Sequence, residues 1–267
     1  MRILITGASG LIGRVLTKTL SRSHSLFLTD VRSPEETADQ DYIKISQQSM
    51  FLKIDLSDHS AVKDVFSLSE PEAVIHLAAV LGRKTPWEII LSSNINSSIN
   101  VLETALSSKV DRVIYASTNN VYGGYEEEAT AHGRSLYLQE RPLLLREDML
   151  VKPDSRYAVA KLIIEEYASF LSNRFGLRTI GLRIGTVREI DDPDSQTVEA
   201  DLIPRFKSTW LYHEDLIQLI NLCLVTEVKH GVYNAISRYP GLPGVFIDIS
   251  KSIEELGYNP KGRRYVR

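Results

Sequence analysis

The chain has 267 residues, enough to bury a large core in one domain or in one domain with a small added lobe. Its formal net charge of −3 leaves no basic excess to draw it to nucleic acid or to an anionic membrane. A single cysteine, Cys223, excludes an internal disulfide and any cysteine-based zinc cluster, and no stretch approaches the ~18 apolar residues of a membrane span.

The first strand is expected at Ile3-Leu4-Ile5, so near the start that it leaves no room for a signal peptide; a cytoplasmic enzyme is the expected class. Thr6-Gly7-Ala8-Ser9-Gly10 then breaks the strand, and a helix is expected over 11–21, opening with Leu11-Ile12-Gly13. A buried strand, a glycine turn and a helix N-terminus together can hold a pyrophosphate. Gly7 permits the turn, Gly10 lets the backbone approach the phosphates, and Gly13 lets the helix pack close to the sheet. The spacing is G-x-x-G-x-x-G, and a glycine turn that merely packs a helix on a strand is the competing reading of this stretch taken alone. The second strand, 25–30, ends in Asp30, 23 residues after Gly7. A carboxylate there can accept hydrogen bonds from both ribose hydroxyls of an adenosine and would repel a 2′-phosphate, which favours NAD over NADP. Arg32 nearby argues the other way.

Residues 33–49 are polar without clear periodicity and read as loop. A third strand is expected over 51–56, and Ser57-Asp58 can cap a helix that buries Val62, Val65 and Phe66. A fourth strand over 73–79, a long helix over 86–108 carrying Ile95, Ile99, Leu102 and Leu106, and a fifth strand over 112–118 follow. This alternation demands a parallel sheet with helices on both faces. Residues 123–156 break the rhythm with Glu126-Glu127-Glu128 and Arg141-Pro142; the stretch reads either as a solvated surface or as a flap over a substrate site. Beyond it come a helix over 157–172, a strand over 178–185, an irregular stretch over 186–210, and a helix over 214–226 that buries Cys223. His213 and Asp215 read as caps of that helix. A strand over 231–236 and a short helix over 249–257, stopped by Gly257 and Pro260, complete the chain. The expected fold is α/β: a Rossmann-type doubly wound parallel sheet with a small C-terminal substrate-binding lobe. Residues 1–185 form the dinucleotide-binding domain, with 123–156 as its irregular insert. Residues 186–267 form the lobe, and 231–236 returns to the sheet.

Three pieces carry chemistry. Ser117-Thr118 ends the fifth strand, and ligands in open α/β sheets sit outside the carboxyl ends of strands. Tyr157 and Lys161 stand at i and i+4, on one helix face. A tyrosine titrates near ~10, too high for a base at neutral pH, and a lysine ammonium close by, together with the charge of an oxidised nicotinamide, favours the phenolate. Tyr157 can then take a proton from a substrate hydroxyl while hydride leaves the carbon. Asp55-Leu56 lies at a strand end where adenine would sit. His76 reads as a strand-end residue packed near the cofactor, and no metal site is expected.

Thr6-Gly7-Ala8-Ser9-Gly10-Leu11-Ile12-Gly13, Asp30, Asp55-Leu56, His76-Leu77-Ala78-Ala79, Asn94, Tyr115-Ala116-Ser117-Thr118, Val121-Tyr122-Gly123 and Tyr157-x-x-x-Lys161 occur in this order over nearly the whole chain. Together they resemble the extended short-chain dehydrogenase/reductase family, the NAD-dependent epimerase/dehydratase group. The resemblance implies Tyr157 as the base, Lys161 as its partner on the nicotinamide ribose, and Thr118 as the catalytic hydroxyl. It implies that Gly7, Gly10, Leu11, Ile12, Gly13, Asp30, Asp55, Leu56, Leu77, Ala78, Ala79, Asn94, Tyr157, Lys161 and Ile184 contact or support NAD. Asn94 also reads as a solvated helix-start residue. Only some 80 residues follow Gly185, which favours a small substrate without a nucleotide handle.

Ser117-Thr118-Asn119, Arg183-Ile184-Gly185-Thr186, Arg205, Ser208-Thr209-Trp210 and His213-Glu214-Asp215 are further similar to uronate dehydrogenases, which oxidise a hexuronic acid at C1 to an aldarolactone. That similarity implies a sugar site lined by Thr118, Asn119, Asn120, Thr186 and Arg205, with Arg205 on the substrate carboxylate. Asn120 stands where those enzymes usually carry a histidine, and the stretches 123–156 and 186–205 are longer than theirs. Alternatives are a nucleotide-sugar epimerase or dehydratase that retains NAD, an aldohexose or sugar-phosphate dehydrogenase, and a non-catalytic dinucleotide-binding regulator. The family further implies a homodimer through the helices over 86–108 and 157–172; no nucleic acid or membrane partner is expected.

Overall fold

The structure is a computed structural model that describes residues 1–131, 143–199, 203–238 and 246–262. The elements run β1 (Arg2–Thr6), α1 (Leu11–Leu20), β2 (Ser25–Asp30), α2 (Gln40–Gln48), β3 (Met50–Lys53), α3 (His59–Ser69), β4 (Ala73–His76), α4 (Trp87–Ile90), α5 (Ser97–Ser107), β5 (Arg112–Thr118), α6 (Gly123–Ala131), α7 (Arg156–Phe175), β6 (Arg178–Ile184), α8 (Ile203–Ser208), α9 (His213–Val225), β7 (His230–Ala235) and α10 (Ser250–Leu256). The seven strands form one sheet in the order β3-β2-β1-β4-β5-β6-β7, every neighbouring pair parallel. Strand order reverses between β1 and β4, so a crevice opens beyond their carboxyl ends, and it is there that such sheets bind ligands.

The apolar runs that define the strands are continuous because both faces are buried. Ile3, Ile5, Ile75, Ile114, Ile180 and Leu182 face α1 and α9, packing with Leu16, Leu219 and Cys223. Leu4, Val74, Val113 and Tyr115 face the other way, onto Val62, Phe66, Val101, Leu102 and Ile164. β7 pairs with β6 from His230 to Ala235. Leu216, Ile236 and Tyr258 belong to the same core as Ile3, so α9, β7 and α10 are built onto the sheet. Phe206, Trp210 and Tyr212, with Val198 against them, make a small separate cluster.

Several boundaries differ from the sequence reading. Residues 33–49 are not loop. Pro34–Glu36 is a 3-10 turn, and Asp39 caps α2 by accepting the Tyr42 N–H at 3.1 Å. Tyr42 is wholly buried, and one aromatic anchor on a polar helix leaves little periodicity to read. β3 stops at Lys53: Ile54 N–H still reaches the Asp30 carbonyl at 3.1 Å, then the chain turns. β4 stops at His76, so Leu77, Ala78 and Ala79 lie in the loop beyond it. The helix over 86–108 is interrupted by a π-helical segment, Leu91–Asn96. α7 is longer than expected and ends where Gly176 turns left-handed at φ 79°. The stretches 123–156 and 186–210 contain α6 and α8. Arg141-Pro142 lies outside the described residues.

Candidate active site

The glycine turn is packed from above by the loop after β4. Gly7 has φ 72°, and a Cβ placed on it would lie 2.6 Å from the Ala78 backbone nitrogen. A Cβ on Gly13 would overlap the Gly7 and Ala8 carbonyl oxygens. Gly10 is the N-cap of α1 and offers no side-chain hydrogen bond, so the first-turn N–H groups of Leu11, Ile12 and Gly13 are left for an anion.

Asp30 is buried at the end of β2. Its Oδ2 accepts Ser9 N–H at 2.9 Å and its Oδ1 accepts Arg32 N–H at 3.0 Å, which leaves lone pairs on both oxygens for a ribose diol. The Arg32 guanidinium lies 4.0 Å from Asp30 and donates to the Ser9 carbonyl at 3.1 Å, so it is turned onto the acid. Asn94 is buried in the π-helical segment, not solvated. Its Oδ1 accepts Val80 N–H at 2.8 Å and its Nδ2 donates to Val80 O at 3.0 Å, which pins the Leu77-Ala78-Ala79 loop. Asp55 is exposed and accepts Ser57 N–H at 2.9 Å, while Leu56 packs into the core beside Val62. Ile184 ends β6 directly opposite Thr118 in the sheet register. A glycine turn closed to any side chain, three free N–H groups and a buried strand-end carboxylate fit the pyrophosphate and adenosine ribose of NAD.

The segment before α7 is bolted to the turn after β5. Lys152 N–H donates to Val121 O at 2.8 Å and Asp154 N–H to Asn120 O at 3.3 Å. Ser155 then caps α7 through the Ala158 N–H at 3.2 Å. This brings the Tyr157 phenol near Thr118, whose side chain favours the phenolate and whose hydroxyl accepts the Asn120 N–H at 3.2 Å. Lys161 Nζ lies 5.7 Å from the centre of the Tyr157 ring. Burial nevertheless pushes the Tyr157 phenol up to about 12, with the Thr118 hydrogen bond opposing it. Lys161 is pulled down to about 8, by burial first, with Glu165 opposing. Burial is thus the dominant influence on the free phenol.

Behind this pair lies a network that the sequence reading did not single out. Glu165 continues the Tyr157–Lys161 face by one more turn. It accepts Ser117 Oγ at 2.5 Å and forms a buried two-point ion pair with Arg183, Nε at 3.0 Å and Nη2 at 2.7 Å. Arg183 also donates to the Tyr122 hydroxyl at 2.6 Å. The available signal was Arg183 within the apolar run Ile180-Gly181-Leu182-Arg183-Ile184 and a glutamate four residues past the lysine. His76 is buried between Thr6 Oγ1 at 2.7 Å and Ser98 Oγ at 2.8 Å, and burial, with the Lys161 charge second, pushes it down to about 3. It is a neutral packing residue.

On the substrate side, Asn119 is buried and Asn120 lies in the same turn after β5. Thr186 is tied to Thr209, N–H to carbonyl at 2.7 Å and hydroxyl to hydroxyl at 2.9 Å. Arg205 meets Glu126 of α6: Nε donates to Oε2 at 2.6 Å and Nη2 to Oε1 at 3.4 Å. The glutamate run is thus not a merely solvated face. Glu127 pairs with Arg83 of the loop after β4 at 2.6 Å, and Glu128 with Lys152 at 2.6 Å. Three consecutive carboxylates on a helix point ~100° apart, so they tie α6 to three separate segments at the mouth of the crevice. Asp215 is not a helix cap: its carboxylate accepts Ser237 Oγ at 2.5 Å and Lys261 N–H at 2.8 Å. His213 begins α9, with its ring on the Arg188 carbonyl at 2.9 Å.

Fold and cleft together define a dinucleotide-dependent enzyme. The model of the NAD dependent epimerase/dehydratase family matches residues 3–209, and the chain belongs to that family. It is an NAD-dependent oxidoreductase with NAD as its cofactor. Uronate dehydrogenase of Pseudomonas syringae pv. tomato is 31% identical over 239 residues, 88% of this chain and 74% of that protein. L-arabinose 1-dehydrogenase (NAD(P)(+)) of Haloferax volcanii is 25% identical over 97% of this chain and 96% of its own. A crystal structure of a uronate dehydrogenase mutant from Agrobacterium tumefaciens, complexed with NAD, superposes with TM-score 0.75 at 27% identity, over 97% of this chain and 84% of that one. No helix of the described residues is long and apolar enough to cross a membrane.

Proposed function

We propose that the protein oxidises a small sugar acid at C1, hexuronate to aldarolactone, by hydride transfer to NAD. The observation that carries this reading is the meeting of Thr118, Tyr157 and Lys161 beside the glycine cleft, at the carboxyl ends of β4 and β5. The named activities of the two dehydrogenase relatives, both directed at small sugars, support it.

NAD, when bound, accepts the hydride that leaves C1. The chain supplies the rest. Thr118 hydrogen-bonds the reacting hydroxyl and orients it towards Tyr157. Tyr157 takes its proton as the C1–O bond becomes a carbonyl, and Lys161 stabilises the phenolate and relays the proton onward. Burial makes Tyr157 a poor acid on its own, which leaves the proton on the phenol until the charged partners are in place. Glu165 holds Lys161 towards its cationic form.

Purified protein given NAD and a panel of glucuronate, galacturonate, L-arabinose and glucose is expected to form NADH with glucuronate or galacturonate. Tyr157→Phe is expected to lower kcat by about 10²–10⁴ with the fold intact by circular dichroism. NADH formation at the wild-type rate in that variant would remove Tyr157 from the mechanism.

The same reading includes a cytoplasmic homodimer. The dimer is supported by apolar side chains left exposed on α4 and the outer face of α7: Ile89, Val159, Ile163 and Phe170, the last 51% exposed. Sedimentation equilibrium of the purified chain tests it.

A further inference from the structure

We infer that Glu126 sets the acid-versus-neutral preference of the sugar site by holding Arg205 as an internal counter-ion. The inference rests on the sugar-oxidising reading above. α6, which carries Glu126, begins at Gly123 directly after the turn that leaves Thr118. Arg205 lies on α8, whose end is hydrogen-bonded to Thr209, and Thr209 is tied to Thr186 just past β6. β5 and β6 are neighbours, with Thr118 opposite Ile184. The Glu126–Arg205 pair therefore bridges the two segments that leave adjacent strands at the edge of the sheet where the catalytic hydroxyl sits.

Its geometry is the two-point contact that a carboxylate makes with a guanidinium, 2.6 Å and 3.4 Å, with both side chains largely withdrawn from solvent at 28% and 14% exposure. A substrate carboxylate aimed at Arg205 must displace Glu126 and then lie against its negative charge. A neutral aldose meets neither obstacle. The pairs Glu127–Arg83 and Glu128–Lys152 keep α6 in place when Glu126 lets go. Glu126 is accordingly a specificity residue that weakens, without abolishing, the hold of Arg205 on a sugar acid.

The test compares the full chain with Glu126→Gln and Glu128→Gln. For each, kcat/KM is measured with NAD and glucuronate and with NAD and L-arabinose, and glucuronate is titrated calorimetrically into NAD-loaded protein. Glu126→Gln is expected to raise the glucuronate-to-arabinose ratio at least about tenfold, mainly through KM, and to tighten glucuronate binding by a similar factor. Glu128→Gln, which removes an α6 ion pair away from Arg205, is expected to leave the ratio within about twofold. An unchanged ratio in Glu126→Gln, or equal shifts in both variants, overturns the inference, because equal shifts mark the anchoring of α6 and not the charge on Arg205. If the wild type oxidises neither sugar, the sugar-oxidising reading falls. Calorimetry then decides Glu126 separately: tighter glucuronate binding in Glu126→Gln upholds its role, and unchanged binding overturns it.

Discussion

The two sides of the crevice are held together by different physics. On the cofactor side, the glycine turn, the N-terminus of α1 and the Leu77-Ala78-Ala79 loop meet through backbone: Leu77 N–H on Thr6 O at 3.1 Å, Gly10 N–H on Gly7 O at 3.0 Å, and Asn94 on the Val80 peptide. On the opposite side, α6, the loop after β4, the segment before α7 and α8 meet through charged side chains: Glu126 on Arg205, Glu127 on Arg83, Glu128 on Lys152. Backbone packing tolerates almost no change at a given position, since a glycine that lacks room for a Cβ has no substitute. An ion pair at a part-exposed mouth can be rewired at small cost to stability.

Glu165 should break the contrast most severely, because it is a charged pair on the buried side. Glu165→Ala leaves Arg183 in the core without its two-point partner and Ser117 without its acceptor. We expect a loss of about 3–5 kcal/mol, read by urea unfolding, the usual cost of removing one partner of a buried pair. A loss below ~1 kcal/mol would place this pair with the mouth ion pairs. Gly7→Ala sharpens the backbone half: the left-handed φ of 72° costs a residue with a Cβ about 1–2 kcal/mol, and the contact with Ala78 must open as well. The expected result is NAD affinity reduced at least about tenfold by fluorescence titration, with sugar specificity unchanged. A Gly7→Ala protein that binds NAD normally would refute the close-approach argument.

The gentlest effect is with pH. His76 has a folded pKa of about 3, depressed from 6.5, so the unfolded chain binds a proton that the folded one refuses. Its contribution to stability is complete above pH ~6.5 and is lost as the pH falls towards 3. The urea midpoint should decline through that window, and less steeply in His76→Gln; equal slopes would show that burial of the neutral imidazole is not the cause.

Much of this protein could be read from its residues in order. The strand–glycine turn–helix start, the acid ending the second strand, the alternation that demands a parallel sheet and the i, i+4 pairing of Tyr157 with Lys161 all depend on backbone rules spanning a few residues, and local rules are written in local sequence. Among the helices that escaped, α2 and α6 did so because each is polar enough to hide its period; Tyr42 alone anchors the first, and ion pairs to distant segments hold the second. Tertiary structure alone decided that Asn94 braces the Val80 peptide, that Glu165 pairs with Arg183, and that Arg205 meets Glu126 from 79 residues away. It also decided that burial raises the Tyr157 phenol. These depend on which segments the fold brings within hydrogen-bond distance and on how much water it removes, and neither quantity exists until the sheet has assembled.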